Sequence, residues 1–217
     1  MSDFSTLRVM MVDTQVRPSD VTKFPIIEAM LSVPREAYVP DAKRAVAYIG
    51  ENIALGAGRV LMEARTLAKT LDALDILPTD RVLDIGCGLG YSAAVLARMA
   101  GSVTALEVDA DMAATAAATL AAHAVTNAKV STGALEKGAT EAGPFDVIVI
   151  EGGVAEVSET LLAQLAEGGR ISAVFMDGPL GVVKVGHKAD GRVSWRFAFN
   201  ATAPILPGFA KAATFAL

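Results

Sequence analysis

The middle of the chain alternates short apolar runs with longer amphipathic ones. Arg81–Ile85, Ser102–Glu107, Lys129–Thr132, Phe145–Ile150 and Arg170–Phe175 are rich in Val, Ile and Leu and predict strands. Between them, Tyr91–Met99, Asp111–Ala124 and Glu156–Leu165 carry Ala, Val and Leu at helical spacing. Gly168-Gly169 is the expected stop of the last helix. Strands alternating with helices of this length predict βαβ units around a largely parallel sheet. The fold class expected is therefore α/β, a three-layer Rossmann-like arrangement.

The flanks follow other patterns. Leu67, Leu71 and Leu74 fall at helical spacing within Glu63–Ile76, and Pro78 closes that helix. Phe24–Leu31 predicts another helix, with Asp20 or Thr22 as N-cap and Pro25 in its first turn. Pro34 and Pro40 break the pattern after it, and Gly56-Ala57-Gly58 signals a turn. Beyond residue 180, Val182–His187 and Arg192–Phe199 are β-rich and are separated by Lys188-Ala189-Asp190-Gly191, a hairpin turn sequence that predicts an antiparallel edge. The expectation is a single domain: residues 1–78 a helical lead-in, 79–180 the βαβ core, and 181–217 a terminal β-hairpin and strand.

Composition narrows the classes. The 217 residues are 53% hydrophobic and 20% charged, which supports a core and excludes global disorder. The net charge of −5, with no Lys/Arg cluster, argues against a nucleic-acid partner. A single Cys excludes an intrachain disulfide framework, and with only His123 and His187 beside it a zinc site is not expected. No apolar run approaches the roughly 18 residues of a membrane helix, and Met1–Arg8 holds Asp3 and Arg8 without an apolar stretch. The location expected is cytoplasmic, with no membrane partner.

The chemistry concentrates in Val82-Leu83-Asp84-Ile85-Gly86-Cys87-Gly88-Leu89-Gly90-Tyr91, where a strand runs into a glycine turn that opens a helix. The glycines let a ligand approach the main chain. About 20 residues on, the next strand ends at Glu107, where a carboxylate can accept from both hydroxyls of a ribose. A dinucleotide site has two residues between its second and third glycines, whereas here Leu89 alone separates Gly88 from Gly90. Asp84 also precedes the loop, where it would repel a pyrophosphate and attract a cation. This D-x-G-x-G-x-G pattern points to S-adenosylmethionine, whose sulfonium and ammonium are cationic.

Beyond the loop, the chain resembles the protein-L-isoaspartate O-methyltransferase family. The resemblance rests on Met11-Val12-Asp13-Thr14-Gln15-Val16-Arg17, on Ala29-Met30, and on Val33-Pro34-Arg35-Glu36-Ala37-Tyr38-Val39-Pro40 with Ala47-Tyr48. Pro144-Phe145-Asp146, Gln164-Leu165 and Gly168-Gly169-Arg170 extend it over nearly the whole chain. It implies a class I methyltransferase fold, S-adenosylmethionine as cofactor with S-adenosylhomocysteine as product, and an isoaspartyl residue of a damaged protein or peptide as methyl acceptor, in a monomer or homodimer.

Three segments depart from the family. Arg59-Val60-Leu61-Met62-Glu63-Ala64 stands where a Thr-Ile-Ser-Gln-Pro-like segment is usual, so Met62 replaces a serine of the reaction centre. Gly133-Ala134-Leu135 replaces a Gly-Asp-Gly whose Asp contacts adenine, and Glu151-Gly152-Gly153 replaces a small-residue strand end. The resemblance thus places Asp84, Gly86, Cys87, Gly88, Gly90, Glu107, Ala134, Leu135 and Glu151 at the cofactor, and Met62, Glu63 and Arg59 at the substrate. Arg59 and Arg65 are candidates to pair with a substrate carboxylate, and Glu63 or Glu151 to serve as a base for a less acidic acceptor. The departures leave two alternatives: another small-molecule or protein acceptor, or a catalytically silent cofactor-binding protein.

Overall fold

The structure is a computed structural model that describes residues 3–211. Its centre is a seven-stranded sheet of β3 (Arg81–Ile85), β4 (Ser102–Glu107), β5 (Ala128–Thr132), β6 (Phe145–Val154), β7 (Leu165–Asp177), β8 (Leu180–Ala189) and β9 (Arg192–Asn200). The order across the sheet is β5-β4-β3-β6-β7-β8-β9. The strands from β5 to β7 are parallel, and β8 and β9 add antiparallel to β7 and to each other. The predicted mixed sheet and its hairpin edge are therefore present. Asp190 and Gly191, both at positive φ, make the turn between β8 and β9.

Alternation along the strands builds two cores. Val82, Val147 and Val149 face one side, with α1 (Phe4–Met11), α2 (Phe24–Ser32), α3 (Ala64–Leu74), α4 (Tyr91–Ala97) and α5 (Ala110–Ala122) packed over it. Leu83, Ile85, Ile148 and Ile150 face the other, beneath the single turn α6 (Glu159–Leu162), Leu206 and Phe209. The third layer is thus much thinner than the first. In α3 the predicted stripe is realised, with Leu67, Leu71 and Leu74 all buried. Leu71→Ala is expected to lower stability by about 2–5 kcal/mol through lost burial and a residual cavity, read from a denaturant unfolding midpoint.

Several elements differ from expectation. The helix predicted over 156–165 shrinks to α6, because Ser158 caps it late and Leu165 already pairs with Phe145 as the start of β7. Neither Asp20 nor Thr22 caps α2. Its N-cap is Lys23, without a side-chain bond, and Asp20 instead takes a left-handed φ of 65° ending the turn Arg17–Ser19. The helix α3 stops at Leu74, where Asp75 is left-handed. The start of the chain is helical as expected, with α1 running on into a π-helical turn over Val12–Val16, whereas a hairpin of β1 (Ile53–Gly56) and β2 (Arg59–Leu61) around the Gly56-Ala57-Gly58 turn was not predicted. The expected terminal strand is represented by one parallel bridge between Ile205 and Gly153, and residues 212–217 lie outside the described residues.

Candidate functional site

The site forms at the carboxyl ends of β3 and β4, where β3 sits between β4 and β6 and the chain order of the sheet reverses direction. Such a switch point opens a crevice between neighbouring loops. Gly86, Gly88 and Gly90 follow β3 with φ of 79°, 55° and 96°, so each carries a backbone that an L side chain strains to adopt. Asp84, in β3, is fully buried; its Oδ2 accepts from Ser92 Oγ at 2.7 Å and its Oδ1 has no partner. Glu107 ends β4, also fully buried. Its Oε2 accepts from the Gly88 N–H at 2.8 Å and its Oε1 from the Val108 N–H at 2.9 Å.

Glu151 joins them from β6. The pairing of β6 with β7 breaks register between Val149 and Gly153, and Glu151 falls in that stretch. Its Oε1 is buried and unpartnered. Burial, opposed by the Ser92 hydrogen bond, pushes Asp84 up to about 7, and burial with the neighbouring Asp84 charge pushes Glu151 up to about 8. Both shifts favour the neutral carboxyl form in this buried site.

Two guanidinium groups face these acids. Arg59, in β2, is 2% exposed and forms an ion pair with Glu107, Nη2 to Oε2 at 3.1 Å, while the same Nη2 donates to the carbonyl of Gly86. The pairing expected between Arg59 and a substrate carboxylate is thus made with the protein's own Glu107. Arg35, quoted in the sequence only as part of a motif, proves wholly buried. It lies 4.8 Å over the Tyr91 ring and donates to the carbonyls of Ala47 and Met62 at 2.8 and 2.7 Å. The two guanidiniums supply counter-charge to these buried carboxyls.

Of the remaining predicted residues, Cys87 alone lies in the glycine loop. Met62 is buried among Val174, Val183, Phe199, Ala201 and Ala203, in a third apolar cluster. Glu63 sits at the start of α3, where its Oε1 accepts from Thr66 Oγ1 at 2.6 Å and lies 3.6 Å from Arg65 Nη1. Leu135 packs into the second core with Leu106 and Leu206, and Ala134 precedes it as a half-buried residue. Cys87 is buried, and burial with the nearby Asp84 raises its thiol pKa well above the ordinary value. A thiol reagent at neutral pH is expected to modify Cys87 slowly in the native protein and rapidly in denaturant, followed by absorbance of the released chromophore.

With this geometry in place, comparison with known proteins is decisive. Residues 10–197 match the family model for protein-L-isoaspartate(D-aspartate) O-methyltransferase. This chain belongs to that family. A protein-L-isoaspartate O-methyltransferase 1 of Rhodopseudomonas palustris is 37% identical over 170 residues, covering 78% of this chain and 69% of the relative. One from Koribacter versatilis is 33% identical over 193 residues, covering 89% of this chain and 87% of the relative. Among solved structures, a protein-L-isoaspartate O-methyltransferase superposes with a TM-score of 0.80 at 22% identity, over 94% of this chain and 66% of that one. A Plasmodium falciparum protein assigned to the same methyltransferases, crystallised with S-adenosyl-L-homocysteine, also gives 0.80, at 20% identity over 95% of this chain and 99% of that one. These two likenesses bear on the fold. The methyltransferase family thus accounts for the mixed sheet and for the glycine loop at its switch point.

Proposed function

We propose that this protein is an S-adenosylmethionine-dependent O-methyltransferase that acts on isoaspartyl residues of proteins or peptides. The observation that carries the proposal is the fully buried Glu107 at the end of β4, facing the glycine loop of β3 in a chain whose family match spans residues 10–197. The donor set suits the cofactor. Glu107 suits ribose hydroxyls, and Asp84 Oδ1 and Glu151 Oε1 are buried acceptors without a protein donor. Such carboxyl oxygens suit an ammonium and a sulfonium. When bound, S-adenosylmethionine supplies a methyl group on a cationic sulfur.

The chain's own residues then bind, orient and exclude water, since in-line transfer demands mainly proximity and alignment. An isoaspartyl carboxylate is ionised at neutral pH and needs no general base. The absence of a hydroxyl at Met62, which faces the third apolar cluster, therefore removes no proton-transfer step. The proposal includes one methyltransferase domain, a monomeric or homodimeric state and a cytoplasmic location; among the described residues no helix is long and apolar enough to cross a membrane. Incubation with an isoaspartyl peptide and methyl-labelled S-adenosylmethionine tests it. Base-labile label in the peptide is expected, and label absent from the isoaspartyl peptide, or equal on an aspartyl control, contradicts it.

A further inference from the structure

The space in front of the glycine loop is filled by the β1–β2 hairpin. A Cβ on Gly88 would lie 2.7 Å from Leu55 Cδ1, and one on Gly86 would lie 2.5 Å from Arg59 Nη2. The glycines therefore make room for side chains of this chain itself. Arg59 donates Nε to Glu107 Oε1 at 3.4 Å and Nη2 to Glu107 Oε2 at 3.1 Å, and reaches the Gly86 carbonyl with the same Nη2. One planar fork thus engages both oxygens of the ribose-binding carboxylate and a main-chain acceptor of the loop, a geometry an ammonium on a flexible stem does not match.

We propose that Arg59 is a tethered occupant of the cofactor site, and that cofactor enters by exchanging its own positive charge for the Arg59 guanidinium as the β1–β2 hairpin lifts. This inference rests on the methyltransferase assignment above. Two observations carry it beyond the contact itself. The first is charge. Withdrawing Arg59 removes the cation that pairs with Glu107 and faces Asp84, and leaves Glu151 facing Arg35, all in a buried cluster, which is costly without a replacement cation. A ligand with an ammonium, a carboxylate and a sulfonium carries one net positive charge and restores the balance. The second is mechanical. The hairpin is a two-stranded sheet of its own, four residues against three, with no strand bonded to the seven-stranded sheet. Hairpins of that size are marginal alone, so lifting this one breaks few ladder bonds.

A site that is closed most of the time weakens apparent affinity in proportion to its open fraction. Equilibrium dialysis of labelled S-adenosylmethionine against the wild type and Arg59→Gln is expected to show binding about ten-fold or more tighter in the variant. Hydrogen–deuterium exchange on the wild type supplies a test independent of the variant's folding, because saturating S-adenosylmethionine is expected to speed exchange of the amides of residues 53–61. Equal affinities in the two proteins, or hairpin exchange that is unchanged or slowed on binding, overturn the role of Arg59 and leave the methyltransferase assignment standing. Saturable binding by neither protein overturns the assignment and the inference together.

Discussion

Glu107→Ala is expected to abolish measurable S-adenosylmethionine binding and to lower folding stability by about 3–5 kcal/mol. The stability loss follows from burial. Arg59 is 2% exposed and Glu107 fully buried, so truncating the acid leaves a guanidinium with no counter-charge and three backbone N–H groups, of Gly88, Val108 and Asp109, without their acceptor. Breaking one partner of a buried pair costs far more than an exposed pair is worth, because the survivor keeps its desolvation penalty. The binding loss follows because the acceptor expected for the ribose hydroxyls is gone. Chemical denaturation reads the first effect and calorimetric titration, below the variant's transition, reads the second. Glu107→Gln separates them. It preserves shape and one acceptor oxygen, so a smaller loss of stability with an undiminished loss of binding is expected.

Folding stability is also expected to fall as pH rises through neutrality. Asp84 and Glu151 are held near 7 and 8 in the fold, above the ordinary 3.8 and 4.5. Raised carboxyl pKa values mean that the native state binds more protons than the unfolded chain between those limits. The stabilising contribution is therefore complete below the ordinary carboxylate pKa and is lost as pH climbs through the folded values. The facing groups set its size, with Arg59 and Arg35 opposing the shift of Glu151 and Asp84 adding to it. Urea midpoints measured from about pH 5 to about pH 9 are expected to decline, most steeply between about pH 5 and about pH 7, and to level off above about pH 8. Glu151→Gln is expected to flatten the upper part of that decline by removing one of the two titrating acids. A midpoint independent of pH in the wild type contradicts the raised carboxyl pKa values.

The sheet was legible because its strands are short, apolar and separated by amphipathic segments, a pattern set locally. Asp84, the glycines and Glu107 were legible for the same reason, since strand, turn and next strand end lie close in sequence. The failures are non-local or ambiguous. Leu161, Leu162 and Leu165 fit a helix stripe, yet Leu165 pairs with Phe145 in the sheet, so tertiary pairing overrode the helical pattern. The strands of the β1–β2 hairpin, four and three residues long, are too short to show a period, and only the Gly56-Ala57-Gly58 turn was visible. The partner of Arg59 lies 48 residues away in Glu107, which no spacing rule connects. Met62 follows β2 into a cluster built from β7, β8 and β9 residues, so alignment with a reaction-centre serine did not foretell its surroundings. Arg35 stood in a recognisable motif, but nothing in the motif marked its burial.

The glycine loop and Glu107 are expected to act together as an S-adenosylmethionine site. Equilibrium dialysis of the labelled cofactor against the wild type and Glu107→Gln tests it most directly. Saturable binding with one molecule per chain is expected in the wild type, with a loss of about 100-fold or more in the variant, equivalent to roughly 2.7 kcal/mol. Absence of saturable binding in the wild type, or equal binding by both proteins, would contradict it.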